Sequence, residues 1–226
     1  MSPSILVLGA TGLSGLAFIQ VALSQPNPPA LTLFVRSRSK LPADIEERTR
    51  VVEGSLTDTD ALSNAMEGVD VVVSLLGAYV SLSAFIFRTT TTPIADAVPG
   101  ILSTMRAKGV KRIFALSTAS FSPDPAEVFS IGRSITGLMP KIMVPQGNAE
   151  MAAIAETVSA ADDLDWTVFR VPHLTEEAVE LPVAAGNLGP DFKGGFNLSR
   201  ASQALWILKE IEERQWVKKA PMLGNY

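Results

Sequence analysis

Cysteine is absent from this chain, and histidine occurs once, at His173. Without thiols there is no disulfide framework, no zinc–thiolate site and no cysteine nucleophile. A single imidazole rules out a multi-histidine metal centre within one chain, so no metal site is expected. Tyrosine is nearly absent too, with only Tyr79 and Tyr226. Charge is sparse: charged residues are 19% of the chain, below the usual quarter for soluble domains. The densest positive stretch, Arg36, Arg38 and Lys40, is too short for a nucleic-acid footprint, and no nucleic-acid partner is expected. Residues 2–35 and 71–87 carry no charge at all. The first stretch lacks the basic start of a signal peptide and is broken by Gly9, Gly12, Gly15, Pro26, Pro28 and Pro29. The second is short for a membrane span and contains Ser74, Gly77, Ser81 and Ser83. Both read as buried strand plus loop. No membrane association and a cytoplasmic setting are the expectation, and the oligomeric state is not legible.

What is present is apolar residue in quantity, 47% of 226 positions, enough for a sizeable core. Apolar runs alternate with helical patterns. Ile5–Leu8 is a continuous apolar run ending at Gly9, as in a strand buried on both faces. Residues 12–24 are helical in pattern, with Leu13, Leu16, Ala17, Phe18 and Val21 able to face a sheet, and the prolines from Pro26 end that helix. Strands follow at 31–35, 50–52, 69–76, 111–116 and 166–171. Helices lie at 58–66, 94–108, 148–160 and 201–213. Pro99 and Gly100 predict a kink in the second of these, and 196–198 reads as a short strand. This order predicts one α/β domain over 1–226: a Rossmann-type, doubly wound, mainly parallel sheet with helices on both faces. The irregular stretch 120–147, rich in Pro, Gly, Ser and Phe, leaves a strand at its ligand-binding end. It reads as a lid over a site or as a surface insertion.

The strongest local signal is Gly9-Ala10-Thr11-Gly12-Leu13-Ser14-Gly15, placed between a buried strand and a helix. The first glycine allows the turn off the strand. The second lets backbone N–H groups approach a pyrophosphate, and the third lets the helix pack close to the strand. The helix N-terminus then offers unpaired donors to phosphate. Arg36 stands 21 residues after Gly15, where an NAD-binding chain carries an acid for the ribose 2′-hydroxyl. No carboxylate appears until Asp44. A guanidinium there pairs with a 2′-phosphate, so NADP(H) is the expected cofactor; otherwise Arg36 is a solvated loop charge.

Together with this loop, Phe34-Val35-Arg36, Val52-Glu53-Gly54-Ser55-Leu56-Thr57-Asp58, Ala65 to Val73, Gly109-Val110-Lys111-Arg112-Ile113-Phe114 and Leu164 to Pro172 make a recognisable set. The chain resembles the atypical, NmrA-like branch of the short-chain dehydrogenase/reductase superfamily, closest to the biliverdin reductase B/flavin reductase group. The resemblance implies that Gly9, Thr11, Gly12, Leu13 and Ser14 hold the pyrophosphate and Arg36 the 2′-phosphate. It puts Ser55 and Leu56 at the adenine, with Ser55 standing where the family usually has Asp. Leu76, Gly77 and Ala78 would pass the nicotinamide ribose. Ser117 and Thr118 would lie near the nicotinamide, with Pro172, His173, Leu174 and Thr175 closing over its carboxamide.

The departures bear on chemistry. The wider superfamily uses a Tyr-x-x-x-Lys pair as proton donor, and neither tyrosine here is followed by lysine at that spacing. The helix that would carry the pair offers Glu150 and Glu156 instead, as catalytic carboxylates or as surface charges. Ser117 and His173 are the catalytic candidates. The alternatives are a strand-end serine satisfied by backbone and a histidine acting only through its own. Tyr79, Phe85, Phe87, Phe121 and Phe129 are candidates for an apolar substrate pocket or are plain core, with Tyr79 and Phe121 favoured as substrate contacts. Two functions stand: an NADPH-dependent reductase of a conjugated small molecule (flavin, quinone or enone), or a relative using the pocket for isomerisation; and a non-catalytic NADP(H)-sensing regulator.

Overall fold

The computed structural model describes residues 2–77, 92–123, 127, 145–177 and 180–226. Through these the chain runs β1 (Ser4–Leu8), α1 (Leu13–Ser24), β2 (Ala30–Val35), a 3-10 turn (Arg38–Lys40), α2 (Ala43–Glu46), β3 (Arg50–Glu53), α3 (Thr59–Ala65) and β4 (Val71–Ser74). A second 3-10 turn (Ala95–Ala97) leads into α4 (Val98–Lys108), β5 (Arg112–Thr118), α5 (Pro145–Ser159), β6 (Asp165–Val171) and β7 (His173–Thr175). The chain ends with β8 (Val183–Gly186), β9 (Asn197–Ser199), α6 (Arg200–Glu213) and β10 (Met222–Asn225).

Eight strands form one sheet in the order β3-β2-β1-β4-β5-β6-β10-β8, and β7 pairs with β9 in a separate ribbon. All pairings in the large sheet are parallel except β10 with β8. This is the Rossmann-like α/β fold expected. Apart from Ser4 and Ser74 the central strands β1 and β4 are apolar because both faces are covered: Ile5, Leu6, Val7, Leu8, Val72 and Val73 are all fully buried. From β1 the chain winds toward β3, and from β4 it winds the other way. Right-handed crossovers therefore put α1 on one face and α3, α4 and α5 on the other. α6 returns to pack on α1. The order reverses between β1 and β4, and a crevice opens beyond the C-terminal ends of those strands.

Three local expectations differ from the structure. The buried stripe of α1 is Gly15, Phe18, Ile19 and Ala22, while Leu13 is 58% exposed at the helix mouth. Residues 94–108 do not form a kinked helix. Pro99 falls in the first turn of α4, where no backbone donor is required, and a 3-10 turn precedes it. Finally, β8 and β10 extend the sheet beyond β6 without a strand signal of their own; β8 contributes only Val-Ala-Ala-Gly.

Candidate functional site

The crevice is built around the glycine loop. Gly9 has φ +81°, and a Cβ there would sit 2.8 Å from the Leu75 carbonyl oxygen. A Cβ on Gly15 would come within 2.2 Å of the Gly9 carbonyl oxygen. Both positions exclude a side chain because backbone occupies the space. Gly12 differs. Its φ is −80°, its N–H donates to Gly9 O at 3.0 Å, and a Cβ would meet only Gly9 O, at 3.4 Å. The fold tolerates a side chain there; the space it would take lies toward the crevice. Gly12 is the N-cap of α1, offers no capping side chain, and the first turn carries no acid. The first N–H groups of α1 thus point outward with no intrahelical acceptor and an uncompensated dipole. A phosphate supplies both the acceptor and the negative charge.

Arg36 follows the last residue of β2, beside the C-terminal end of β3, where Val35 pairs with Glu53. It is exposed and makes no hydrogen bond or ion pair among the described residues. Arg38 is committed: its Nη1 donates to Glu46 at 3.0 Å, its Nη2 to Val51 O at 2.6 Å, and its backbone N–H to Glu53 at 3.1 Å. Of these two arginines, Arg36 is the one free to meet a ligand. Ser55 is exposed, with its hydroxyl 3.0 Å from that of Thr57, and Leu56 packs partly against the core.

Across the crevice, Leu75 N–H donates to Leu8 O at 2.9 Å, which sets Leu76 and the exposed Gly77 beside the loop. Ala78, Tyr79, Phe85, Phe87 and Phe129, and most of the stretch 120–147, lie outside the described residues. Phe121 packs partly against the core. Ser117 is fully buried, and its hydroxyl donates to Met151 O at 2.8 Å. Its proton points into α5 rather than toward a ligand, so the residue ties β5 to that helix. Thr118 Oγ1 lies 2.8 Å from Ser120 Oγ. His173 is exposed on β7; its backbone N–H donates to Phe196 O at 3.1 Å, and its imidazole has no partner among the described residues. Pro172, Leu174 and Thr175 are half-buried on the same rim.

The two carboxylates of α5 separate. Glu156 faces solvent. Glu150 is 2% exposed and accepts the N–H groups of Ile94 at 3.0 Å and Ala95 at 2.7 Å, capping the turn that leads into α4. Burial pushes its carboxyl above the ordinary value, the two N–H donors oppose that, and Asp96 adds to it. The folded protein therefore holds this proton more tightly than the unfolded chain. Its protonation favours folding at low pH, and that contribution is lost as pH rises through the raised value. Glu150→Gln keeps an acceptor and is expected to be near neutral in urea unfolding, without this pH dependence. Glu150→Ala strands two N–H groups and is expected to cost about 1–3 kcal/mol; equal stability of the two variants would refute the capping role.

Sequence reasoning gave no sign of the buried ion pair behind β6. Arg170 is fully buried; its Nη1 and Nη2 meet the two oxygens of Glu127 at 2.7 and 2.5 Å. Its remaining donors go to Ala220 O at 2.8 Å and Phe121 O at 3.0 Å. Glu127 also accepts from Ser122 Oγ at 2.6 Å and Leu188 N–H at 3.0 Å. Burial opposes ionisation of Glu127, but Arg170 and Ser122 outweigh it and hold the carboxyl below its ordinary range. Position 127 lies within the candidate lid segment, and the pair fastens that point to the body of the sheet. An open depression of about 620 Å³, lined by Val183, Leu188, Phe192 and Tyr226 among others, lies along β8 and includes no residue of the glycine loop. Among the described residues no three His, Cys, Asp or Glu side chains gather as metal ligands, and no helix is long and apolar enough to cross a membrane.

The comparisons agree with this geometry. The model of a family described as NAD(P)H-binding matches residues 9–214. Averufin oxidase A of Dothistroma septosporum is 28% identical over 131 residues. That match takes in 54% of this chain and 46% of the relative, so the chain spans about half the length of the curated relatives it matches. A short-chain dehydrogenase/reductase from Veillonella parvula DSM 2008 superposes with TM-score 0.79 at 20% identity, over 100% of this chain and 95% of the other. A wide-type enzyme from the same organism, in complex with NADP, gives TM-score 0.77 at 19% identity, over 100% and 95%. An anaerobillin reductase from Escherichia coli O157:H7 gives 0.74 at 14% identity, over 98% and 97%. At these identities the structures share the fold.

Proposed function

The chain belongs to the NAD(P)H-binding family, and from that premise we propose that it is an NADPH-dependent oxidoreductase that reduces a conjugated small molecule. One observation carries the reading: a side-chain-free turn at Gly12, where α1 begins, and at the neighbouring strand end the guanidinium of Arg36, which has no partner among the described residues. The fit to NADP(H) rests on the same features. Backbone donors of the loop, with Thr11, Leu13 and Ser14, would hold the pyrophosphate, and Arg36 the 2′-phosphate. Ser55 and Leu56 would flank the adenine; Leu76 and Gly77, with Ala78, would flank the nicotinamide ribose; Thr118 and the 172–175 rim would flank the nicotinamide. When bound, the cofactor supplies the hydride.

The protein's own part is orientation and proton supply. α5 packs on β5 where the superfamily's acid stands, yet it reads Pro-Gln-Gly-Asn-Ala-Glu-Met-Ala-Ala-Ile-Ala-Glu-Thr-Val-Ser, with neither Tyr nor Lys. Ser117 donates inward, which leaves it a positioning role. His173, exposed on the rim with no imidazole partner among the described residues, is the proposed proton donor. An electron-poor acceptor such as a flavin, quinone or enone takes hydride first and needs no strong acid. Tyr79 and Phe121 are the proposed substrate contacts.

NADPH oxidation followed optically with a panel of flavins, quinones and enones tests the activity. NADPH binding without turnover across the panel would instead make the chain a nucleotide sensor. For the cofactor, Arg36→Glu is expected to weaken NADPH binding about tenfold or more while changing NADH binding little, since a charge-assisted hydrogen bond is worth roughly 1.5–3 kcal/mol. Equal affinities for the two dinucleotides, before and after the change, would remove the NADP assignment.

A further inference from the structure

The β7–β9 ribbon carries a cation that the cofactor reading leaves unused. Arg200 opens α6, directly after Ser199, whose register partner is Thr175. Its side chain makes one hydrogen bond among the described residues, from Nη1 to Leu174 O at 3.4 Å, the weak end of the range. Among the described residues its Nε is buried without a partner, and it joins no ion pair. Arg112 and Arg170, which are deeply buried, each face a carboxylate, Glu210 and Glu127, although the Arg112 Nε also lacks a partner. One turn further along the same helix face, Gln203 is 2% exposed, and neither its amide oxygen nor its nitrogen has a partner. Buried polar atoms are nearly always satisfied, so unmet atoms on adjacent turns need an explanation.

The surroundings say what would meet them. The first turn of α6 contains no acid. Topology places this turn on the C-terminal rim: β7 follows β6 at that end, β9 runs parallel to it, and α6 starts from β9. α1, whose first turn forms the phosphate cradle, starts from the same rim and packs against α6. Phe196, 57% exposed, accepts the His173 N–H through its carbonyl. A guanidinium bonded to the Leu174 carbonyl of the ribbon and an unmet amide one turn along α6 therefore stand near the candidate proton donor.

We propose that Arg200, supported by Gln203, is an oxyanion receptor of this site. It binds a carboxylate or phosphate of the bound ligand. The inference rests on the dinucleotide-binding reading. Its oxyanion has two sources, an acidic group on the acceptor or the cofactor's own phosphates.

The test uses calorimetric binding, so it does not depend on turnover. Wild type, Arg200→Met, Arg200→Lys and Gln203→Leu are titrated with NADPH. Each is then titrated, with and without NADP+, with 1,4-naphthoquinone and its 2-carboxylate. If the acceptor carries the oxyanion, Arg200→Met weakens the carboxylate about tenfold or more and leaves the neutral quinone and NADPH within about twofold. If the cofactor carries it, NADPH affinity falls instead by a similar factor. Arg200→Lys should recover part of either loss, because it keeps the charge without the planar fork. Gln203→Leu should lose several-fold on the same ligand with an unchanged or raised melting temperature, which separates loss of binding from misfolding. Unchanged affinity of Arg200→Met for both NADPH and the carboxylate overturns the proposal. Wild-type protein that binds no NADPH overturns the dinucleotide reading instead, and the nucleotide-free quinone pair still reports on Arg200.

Discussion

Gly12→Val is expected to reduce NADPH affinity by at least about 100-fold, roughly 2.7 kcal/mol, while the protein still folds. The two halves of this expectation have separate causes. The Gly12 backbone, at φ −80° and ψ 163°, is extended geometry that valine adopts readily. A Cβ there meets only Gly9 O, at 3.4 Å. Losing a favourable N-cap residue should cost about 1 kcal/mol. The branched side chain would occupy the approach of phosphate to the first N–H groups of α1. Gly15→Val serves as the contrast. Its Cβ would lie 2.2 Å from the Gly9 carbonyl oxygen, so that variant should lose the fold itself. Calorimetric titration of Gly12→Val, beside its urea unfolding curve, separates the outcomes. Near wild-type affinity in a folded Gly12→Val protein would remove the phosphate-cradle argument.

The other large effect concerns stability. Arg170→Met is expected to destabilise the protein by about 3–5 kcal/mol, because it leaves the Glu127 carboxylate buried without its cation. Glu127→Gln should cost a similar amount for the converse reason. A double Arg170→Met, Glu127→Met variant should cost much less than the sum of the single changes, since removing both charges removes the desolvation burden with the attraction. The pH dependence has a definite sign. The folded pKa of Glu127 is lowered below the ordinary 4.5. The pair's contribution is therefore complete above that ordinary value and is lost as pH falls through the lowered one. Wild type should lose stability over this acid window, and the double variant should lack that component. Additive single and double costs, or identical acid profiles, would show that the pair does not act as a unit.

The glycine loop, the strand that feeds it, the alternation of strand and helix, and Arg36 at the end of β2 are all legible in sequence. Each is written in a short contiguous stretch. A buried parallel strand reads as an apolar run, a turn needing φ above zero reads as glycine, and a missing acid at one spacing reads as a 2′-phosphate site. Right-handed crossovers leave few ways to wind these units, and the strand pairings select the observed order among them. The sequence assigned the three glycines different roles, the turn to Gly9, the phosphate approach to Gly12 and helix packing to Gly15. In the structure they differ in the contacts a Cβ would make with Leu75, Ala10 and Gly9 itself.

What the tertiary structure alone decided involves partners far apart in the chain. Arg170 and Glu127 are 43 residues apart, and Glu150 caps a turn 56 residues before it. The Ser117 proton goes to a carbonyl 34 residues on. Sequence left Ser117 open between chemistry and a backbone-satisfied serine, and Glu150 between chemistry and a surface charge. Packing put a carbonyl and two orphan N–H groups within reach of them. β8 and β10 lacked a signal because two four-residue strands gain their pairing from the edge of β6 rather than from an apolar period of their own. Local pattern encodes what a segment can become. Which donor meets which acceptor is set only when distant segments are brought together and water is excluded between them.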